Sequence, residues 1–323
     1  MLVIKRKLGR TDLSVTPLCF GGNVFGWTVD EKSAFGVLDA YVDGGGNFID
    51  TADTYSVGGS ESILGQWMRT RNNRDRIILA TKVGSQMGTD PHAQGLSRQY
   101  ILQEVEASLK RLQTDYIDLY QSHRDDPNTP LDETLAAFHD LVQQGKVRYI
   151  GASNYSAARL REALQVSDQH GYVRYECLQP PYSLVNRADY ERELERLCLE
   201  KGLGVISYSS LASGFLTGKY RPGQDLPSSP RAKRIQERYM NEKGFRILEQ
   251  LDRVAEAHHA TVAQVALAWV MARPGITSAI ASATSVEQVR ELLGSVDLKL
   301  NGQRPPRKRG GLLRQANVDQ SQA

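Results

Sequence analysis

The sequence predicts an α/β fold in which eight parallel strands, each followed by a helix, close into a (β/α)8 TIM barrel. Short apolar runs alternate with longer amphipathic segments along most of the 323 residues, which indicates repeated β-then-α units. The apolar runs do not alternate strictly with polar residues, as expected for strands buried on both faces. A doubly wound sheet would need G-x-G-x-x-G after an early strand, but the glycines at 44–46 precede a strand.

Eight apolar runs are the expected barrel strands. A single barrel typically takes about 250 residues and tolerates insertions, so we expect one barrel domain over residues 1–300. The predicted strands are Leu18–Gly21, Phe48–Asp50, Ile77–Lys82, Ile117–Gln121, Tyr149–Ser153, Cys177–Pro180, Gly204–Ser207 and Ser278–Ala281.

Segments with apolar residues three and four positions apart separate these strands and predict amphipathic helices. The predicted helices are Glu31–Asp43, Ser60–Met68, Arg98–Leu112, Pro130–Gln144, Ser156–Asp168, Asp189–Lys201, Phe245–His258, Val262–Ala272 and Val286–Leu293. Several begin at a residue type that caps helices, namely Ser60, Ser97, Thr129, Ser156, Thr261 and Ser285. Gln264 and Gln288 stand three residues after the last two of these, at capping-box spacing.

Three segments interrupt the alternation. Residues 1–15 precede the first barrel strand and predict a hairpin that turns at Gly9 and Arg10. Residues 212–243 form a long polar insertion after the seventh strand, and Gly84–Gly95 is a shorter loop after the third. Long loops on a compact barrel are often functional, so we expect both to lie at the C-terminal face.

The charge distribution argues against a nucleic-acid-binding protein. Residues 301–323 hold five cations and one acid, a net charge of +4, so the total of +3 leaves the first 300 residues near neutral at −1. The tail contains N-G-Q-R-P-P-R-K-R-G-G and is predicted to be disordered.

Other sequence features predict a cytoplasmic protein. The N-terminal M-L-V-I-K-R-K is not followed by a long apolar run, so we expect neither a signal peptide nor a membrane span. Cys19, Cys177 and Cys198 lie in apolar periodic segments and predict buried, inert thiols, which suits a reducing compartment.

Four polar or ionisable side chains fall near the carboxyl ends of neighbouring predicted strands, where barrel enzymes carry out their chemistry. Asp50 ends the second strand, and Tyr55 lies in the loop after it. Lys82 ends the third strand, and His123 follows the fourth. We therefore expect the four side chains to converge at one rim.

This cluster suits proton donation to an alkoxide that develops as hydride arrives. A nearby Lys82 ammonium would lower the pKa of Tyr55 from its reference value of about 10, and Asp50 would balance the lysine charge. A neutral His123 would orient a substrate carbonyl. No metal is expected, because one histidine beside these residues is a poor metal site.

The residues alone leave other interpretations open. An Asp–Lys pair near a strand end is often purely structural. A lysine on a barrel strand also forms Schiff bases in aldolases, so Lys82 is compatible with a Lys-dependent aldolase. Reasoning from position therefore stops at a barrel enzyme with a Tyr/Lys/Asp/His cluster.

Six ordered motifs resemble those of the aldo-keto reductase family. The resemblance covers about residues 5–300 and implies a barrel with an N-terminal hairpin at its bottom and NADPH-dependent reduction of aldehydes or ketones. The motifs are L-G-R-T-D-L-S-V-T-P-L-C-F-G at 8–21, N-F-I-D-T-A-D-T-Y-S at 47–56, I-L-A-T-K-V-G at 78–84, D-Y-I-D-L-Y-Q-S-H at 115–123, G-K-V-R-Y-I-G-A-S-N-Y-S at 145–156 and L-A-S-G-F-L-T-G-K-Y at 211–220.

The resemblance also implies roles for individual residues. Tyr55 would be the general acid/base, tuned by Lys82 and Asp50, and His123 would orient the carbonyl. The expected contacts at the nicotinamide end are Ser153, Asn154 and Gln179 at the carboxamide and Tyr208 on the ring. Those at the phosphates are Leu211, Gly214 and Lys219 at the pyrophosphate, and Ser282, Thr284 and Gln288 towards the adenosine 2′-phosphate. Ser209 is a further expected cofactor contact.

The cofactor end departs from the family pattern. The family often has P-Y-S-P-L-A-G-G where residues 207–214 read S-Y-S-S-L-A-S-G, and an asparagine where Leu292 stands. Thr284 occupies a stretch that often holds a lysine or arginine and supplies no positive charge. NADPH is therefore the expected cofactor, with NADH as the alternative.

Loops after several strands would line the substrate pocket. Its expected walls are Phe25, Trp27, Met87 and Arg124, with Tyr182 further round, and they suit a small carbonyl compound with an apolar body. A cofactor-holding sensor of the potassium-channel β-subunit type shares the fold and is a further alternative. The sequence does not fix the oligomeric state or the physiological substrate.

Overall fold

The computed structural model describes residues 4–300 and contains a closed parallel barrel. The strands run around the barrel in sequence order, and the last pairs with the first to complete the circle. The predicted (β/α)8 fold is confirmed. After the hairpin strands β1 (Arg6–Lys7) and β2 (Ser14–Val15), the barrel strands are β3 (Leu18–Gly21), β4 (Phe48–Asp50), β5 (Ile78–Val83), β6 (Ile117–Ser122), β7 (Val147–Ser153), β8 (Tyr175–Gln179), β9 (Gly204–Ser207) and β10 (Ile276–Ala281).

Three barrel strands begin two residues earlier than predicted. The added residues at the strand starts include Arg148, Glu176 and Thr277, whose polar side chains interrupt the apolar runs in the sequence. Two of these residues are held by ion pairs, Arg148 with Asp118 and Glu176 with Arg10. A polar residue with a partner is compatible with a strand, which composition alone does not reveal.

The helices pack around the barrel, and every predicted helix has a counterpart. The α-helices among residues 4–300 are α1 (Glu31–Asp43), α2 (Gly59–Arg71), α3 (Arg98–Leu112), α4 (Leu131–Gln143), α5 (Ala157–His170), α6 (Glu195–Lys201), α7 (Ala232–Tyr239), α8 (Glu242–Ala257), α9 (Val262–Met271) and α10 (Val286–Leu293). A π-helical turn at Tyr190–Leu194 leads into α6.

Four of the six predicted caps are confirmed, because their side chains accept a backbone N–H of the first turn: Ser97, Ser156, Thr261 and Ser285. The predictions for Ser60 and Thr129 are wrong. Ser60 lies inside α2 and donates to the carbonyl of Gly22 at 2.8 Å. Thr129 donates instead to Asp126 at 2.7 Å, and α4 begins after Pro130.

The hairpin β1–β2 closes the bottom of the barrel, as predicted. Leu8, Leu13 and Val15 are buried in one apolar cluster with inward-facing side chains of the barrel strands. Gly9 lies so close to the strands that a Cβ there would fall 2.6 Å from the carbonyl oxygen of Glu176. The barrel interior is therefore closed at this end, and the carboxyl ends of its strands lie at the opposite face.

The segment 212–243 is more ordered than a polar insertion. It contains a 3-10 helix at Ala212–Thr217 and the helix α7, which the sequence analysis missed. Phe215 and Ile235 are fully buried in a second apolar cluster shared with α8 and α9. The insertion is therefore anchored beside the barrel mouth. The predicted disorder of 301–323 lies outside the described residues.

Candidate active site

The four predicted catalytic side chains come together at the C-terminal rim. Asp50 is the last residue of β4, Lys82 lies one residue from the end of β5, and His123 directly follows β6. These strands are neighbours in the barrel, so their ends lie side by side. Tyr55 contacts the group from the loop after β4, and its ring meets that of His123 edge-on with centroids 6.0 Å apart.

Lys82 is the centre of the hydrogen-bonding network. Its Nζ donates to Asp50 Oδ2 at 2.6 Å, to the carbonyl oxygen of Thr51 at 2.7 Å and to Tyr55 Oη at 3.2 Å. The lysine side chain is fully buried, and that of Asp50 is 2% exposed. A charge removed from water this completely requires a partner, and Asp50 supplies it.

Two glutamines hold Asp50 from within the barrel. Gln179 Nε2 donates to Asp50 Oδ1 at 2.9 Å, and Gln121 Nε2 reaches the same oxygen at 3.2 Å. The glutamines are joined to each other by a 3.2 Å bond from Gln179 to Gln121 Oε1. The sequence analysis missed Gln121, although an amide inside the apolar run I-D-L-Y-Q-S was a signal that it faces other polar groups.

The pKa of Tyr55 differs from the sequence-based expectation. Burial raises the pKa, and although the Lys82 ammonium lowers it, the net shift is upward from the ordinary value of 10. The expected net lowering is therefore wrong, because the loss of water around a buried phenol outweighs one cation at 3.2 Å. At neutral pH Tyr55 holds its proton, as a donor must.

Lys82 and His123 have opposite protonation states. Burial acts to lower the pKa of Lys82, but the charge of Asp50 and the hydrogen bonds to Asp50 and Tyr55 raise it overall, so the lysine stays an ammonium. Burial, followed by the charges of Lys82 and Arg124, lowers the pKa of His123 to about 3, so its imidazole is neutral. His123 Nδ1 is buried with no hydrogen-bond partner among residues 4–300, which assigns the ring proton to Nε2.

The residues predicted to meet a nicotinamide carboxamide are already linked to one another. Ser153 Oγ donates to the carbonyl of Gln179 at 2.9 Å. Asn154 donates to Ser153 Oγ and to the carbonyl of His123, and Tyr208 Oη donates to Asn154 Oδ1 at 2.7 Å. Asn154 is exposed with a left-handed φ of 58°, and Tyr208 is half-buried.

The segment after β9 forms a concave turn. Ser209, Ala212 and Ser213 have left-handed φ values of 54°, 50° and 60°, and Gly214 has a φ of 106°. Turns of this kind bind anions through backbone N–H groups, but here the N–H groups of Ala212 and Gly214 already donate to the carbonyls of Ser209 and Leu211. A Cβ on Gly214 would lie 4.0 Å from the Nζ of Lys219, so this predicted pyrophosphate contact is near the turn. Leu211 provides the carbonyl that closes the turn, accepting from Gly214 at 2.9 Å.

Ser282, Thr284 and Gln288 lie around the start of α10. Ser282 Oγ donates to Asn23 Oδ1 at 2.6 Å. Gln288 Oε1 accepts from the backbone of Thr284 at 2.9 Å rather than from that of Ser285, so the predicted capping box at Ser285 is only half formed. The box at Thr261 and Gln264 is complete.

The predicted substrate walls separate into two groups. Trp27 is 52% exposed, Met87 is half-buried and Arg124 is exposed, so all three are accessible from the mouth. Phe25 is fully buried and stacks on Phe20 with centroids 5.5 Å apart, so its assignment as a wall is corrected.

Tyr182 is likewise not a wall residue. It is fully buried and donates to Glu191 at 2.6 Å.

Val57 is a rim residue that the sequence analysis missed. It is 64% exposed in the loop that carries Tyr55, and a φ of 51° places this β-branched residue in the left-handed region. That conformation costs about 1–2 kcal/mol and is concentrated at functional sites. No residue pattern announced it, because the strain comes from the path of the loop.

Other classes of site are not evident in the described part of the chain. No group of three or more His, Cys, Asp or Glu side chains in residues 4–300 is placed to hold a metal ion. No helix in that range has both the length and the apolarity to cross a membrane. The three cysteines are free and buried as predicted, and burial raises the pKa of each thiol.

Comparison with known proteins decides the family. The model of the aldo/keto reductase family matches residues 17–304. The chain belongs to the aldo-keto reductase family. The barrel, the hairpin and the six sequence motifs agree with that membership, and the predicted family is confirmed.

Relatives of this aldo-keto reductase carry several kinds of name. It is 38% identical over 304 residues to the uncharacterized oxidoreductase YrpG of Bacillus subtilis, with 91% of each chain covered. It is 36% identical over 300 residues to a probable voltage-gated potassium channel subunit beta of Arabidopsis thaliana, again over 91% of each chain. It is 35% identical over 331 residues to the aldo-keto reductase AFTS1 of Alternaria alternata, covering 92% of this chain and 88% of the other. Family and relatives together support an oxidoreductase.

Proposed function

We propose that this protein reduces aldehydes or ketones to alcohols with a nicotinamide cofactor and that Tyr55 donates the proton. The observation that carries the proposal is the 3.2 Å hydrogen bond between the Lys82 ammonium and Tyr55 Oη at a rim that also holds a neutral imidazole. This arrangement places one protonated phenol and one neutral N–H donor beside each other, which suits the protonation of a polarised carbonyl oxygen.

Each of the four residues has a distinct part in the proposed reaction. His123 donates from Nε2 to the substrate carbonyl and orients it. Tyr55 transfers its proton to the carbonyl oxygen, and the adjacent Lys82 ammonium stabilises the phenolate that remains. Asp50 keeps Lys82 charged and in place. Bound NADPH would supply the hydride for the carbonyl carbon.

Features of the C-terminal face fit such a cofactor. The concave turn at 209–214 with Lys219 nearby suits a pyrophosphate, and the start of α10 suits a further phosphate because a helix N-terminus attracts anions. Exposed Asn154 and half-buried Tyr208 would hold the nicotinamide end. Gln179 has its amide nitrogen committed to Asp50, which leaves Oε1 to accept from a carboxamide. NADPH is our choice, with NADH as the alternative because Thr284 brings no charge.

The protonation state of Lys82 argues against a Lys-dependent aldolase. Schiff-base formation needs a neutral amine as the nucleophile. Burial acts to lower the Lys82 pKa, but Asp50 and the hydrogen bonds to Asp50 and Tyr55 keep it above its usual value, and all three N–H bonds have protein acceptors. Lys82 is therefore suited to electrostatic support and not to attack.

A second candidate function is a cofactor-holding regulatory subunit, which the names of the plant relatives favour. The assembled proton donor favours catalysis instead, because a sensor needs no tuned phenol. A sensor would bind NADPH yet turn over none of a broad set of carbonyl compounds. We place the enzyme in the cytoplasm and propose small-molecule carbonyl compounds as its partners.

The decisive test is an NADPH oxidation assay over a panel of aldehydes and ketones, with NADH in parallel. We expect turnover of at least one aldehyde, and a loss of roughly two or more orders of magnitude in kcat in Tyr55→Phe, the scale of general-acid catalysis. Tyr172→Phe is the matched control, because Tyr172 precedes β8 at the opposite end of the barrel. An unchanged kcat in Tyr55→Phe contradicts the mechanism.

A further inference from the structure

Arg124 is placed at the reaction centre by the same backbone that places His123. It is the next residue in the chain, it is exposed, and its Nε donates to Ser85 Oγ at 3.2 Å. Ser85 lies in the loop that follows the Lys82 strand. The guanidinium is thus held at its Nε edge, and its two terminal nitrogens are left for another partner.

The acids that follow Arg124 in the sequence do not neutralise it. Asp125 pairs with Arg159 at 2.9 Å. Asp126 accepts from the backbone of Leu96 and from Thr129. Across residues 4–300, no carboxylate oxygen lies within 4.0 Å of an Arg124 nitrogen, and the side-chain hydrogen bond that holds it there is the one to Ser85. Although two acids follow it directly in the sequence, Arg124 is therefore unpaired in the described part of the protein.

The charge of Arg124 acts on the proposed reaction centre. It contributes to the low pKa of His123. Burial raises the pKa of Tyr208, and Arg124 and Arg234 both oppose that shift, so each cation lies near the proposed nicotinamide end. Arg234 is exposed on α7. Two cations from separate elements thus act on Tyr208, which we propose to lie at the nicotinamide end.

The loop that holds Arg124 through Ser85 also carries Met87, which belongs to an apolar surface. The loop of Tyr55 is tied to the loop of Trp27 by a 2.8 Å bond from Ser56 Oγ to the carbonyl of Phe25. Val57 Cγ1 lies 3.6 Å from the position of a Cβ on Gly88, next to Met87. The exposed Trp27 and Val57 with half-buried Met87 provide an apolar wall within the same set of loops.

We propose that the substrates of this protein are carbonyl compounds with an apolar body and a carboxylate, and that Arg124 binds the carboxylate. The inference rests on the proposed reductase function. A guanidinium with two free terminal nitrogens matches the two oxygens of a carboxylate, and charge-assisted hydrogen bonds are the strong ones. The only other anion that the proposed function brings to this face is a cofactor phosphate, and the experiment separates the two.

The test compares 4-formylbenzoate with its methyl ester, a pair that differs only in the charge. We expect wild-type protein to prefer the acid in kcat/KM, and the preference to fall at least tenfold in Arg124→Gln, the scale of one charge-assisted hydrogen bond. Arg124→Lys keeps the charge and should restore part of the preference. Arg161→Gln is the matched control, because Arg161 is exposed on α5 and should leave the preference unchanged.

Two binding measurements make every outcome decisive. Cofactor-saturated Arg124→Gln should bind benzoate more weakly than wild type by a similar factor. Its Kd for NADPH should be unchanged. A weaker Kd for NADPH with an unchanged acid preference overturns the proposal and assigns Arg124 to a cofactor phosphate. Turnover of the ester without any preference for the acid overturns it while the reductase function stands. If no aldehyde is reduced, the reductase proposal fails, and equal benzoate binding in wild type and variant then overturns this one as well.

Discussion

Two buried clusters of charged side chains lie on opposite faces of strand β5, and their charges are stabilised in different ways. Inside the barrel, Lys82 faces a single carboxylate, Asp50. On the outer face, Thr81 donates to Glu61, which with Glu104 surrounds Arg111. Neighbouring residues of a strand point to opposite faces, so one strand serves both clusters.

The outer cluster has more acids than cations, because Glu61, Glu104 and Asp53 lie near one arginine, Arg111. Asp53 is fully buried beside it, and its Oδ2 has no partner among the described residues. Burial, followed by the charges of Glu61 and Glu104, raises the pKa of Asp53 to about 8. The inner pair is balanced and both members are charged, whereas the outer cluster is relieved by a proton. The difference teaches that a buried cluster of charge is stabilised either by matching an acid to a cation or by keeping a proton on a surplus carboxyl.

The largest expected effect comes from breaking the inner pair. Lys82→Met removes the cation that stabilises the Tyr55 phenolate, so kcat should fall by roughly 10²–10⁴-fold, as on removal of general-acid catalysis. The variant should also be less stable, because Asp50 is left buried without a counter-charge. Steady-state kinetics and urea unfolding measure the two effects. Full activity in Lys82→Met is incompatible with the proposed role.

Breaking the outer cluster should affect stability and leave the chemistry intact. Arg111→Met leaves Glu61 and Glu104 without their shared cation, and we expect a loss of about 3 kcal/mol in the free energy of unfolding. The kcat of the folded fraction should stay within a few-fold of wild type, since Arg111 contacts none of the rim residues. Arg161→Met, on an exposed helix face, is the control. A stability loss as small as that of the control contradicts the inferred role of Arg111.

A pH-dependent effect tests the proton on Asp53. Between pH 4 and pH 8 the unfolded chain has lost this proton while the folded protein keeps it, so raising the pH disfavours the folded state of wild type. Asp53→Asn mimics the protonated form and removes this dependence. Its stability relative to wild type should therefore grow with pH by up to about 1.4 kcal/mol per unit across that window. Urea unfolding at pH 5, 6.5 and 8 measures it, and a pH-independent difference shows that Asp53 is ionised.

The fold and the reaction centre were predictable because they depend on strand ends. Asp50, Lys82 and His123 stand at positions where any parallel barrel turns side chains to its mouth. Tyr55 followed because its loop is short. Gln121 was not predicted, since its contact with Asp50 depends on which side chains face inward across three strands.

Contacts between loops were much less predictable. Phe25 and Trp27 are neighbours in one loop with similar chemistry, yet one stacks on Phe20 in the core and the other is exposed. The direction of the Tyr55 pKa was also missed, because burial is a property of the assembled protein. Local residue patterns do not show which path a loop takes or how far folding removes a side chain from water.

The hairpin at the bottom of the barrel has a consequence for the route by which protons, substrate and product would move. Leu8, Leu13 and Val15 close the lower end with apolar side chains, so no polar route leads to Lys82 from below. In the proposed reaction, the proton that Tyr55 gives up would return through the same opening that admits substrate and releases alcohol. A bulky product that leaves slowly would then also delay the reprotonation of Tyr55.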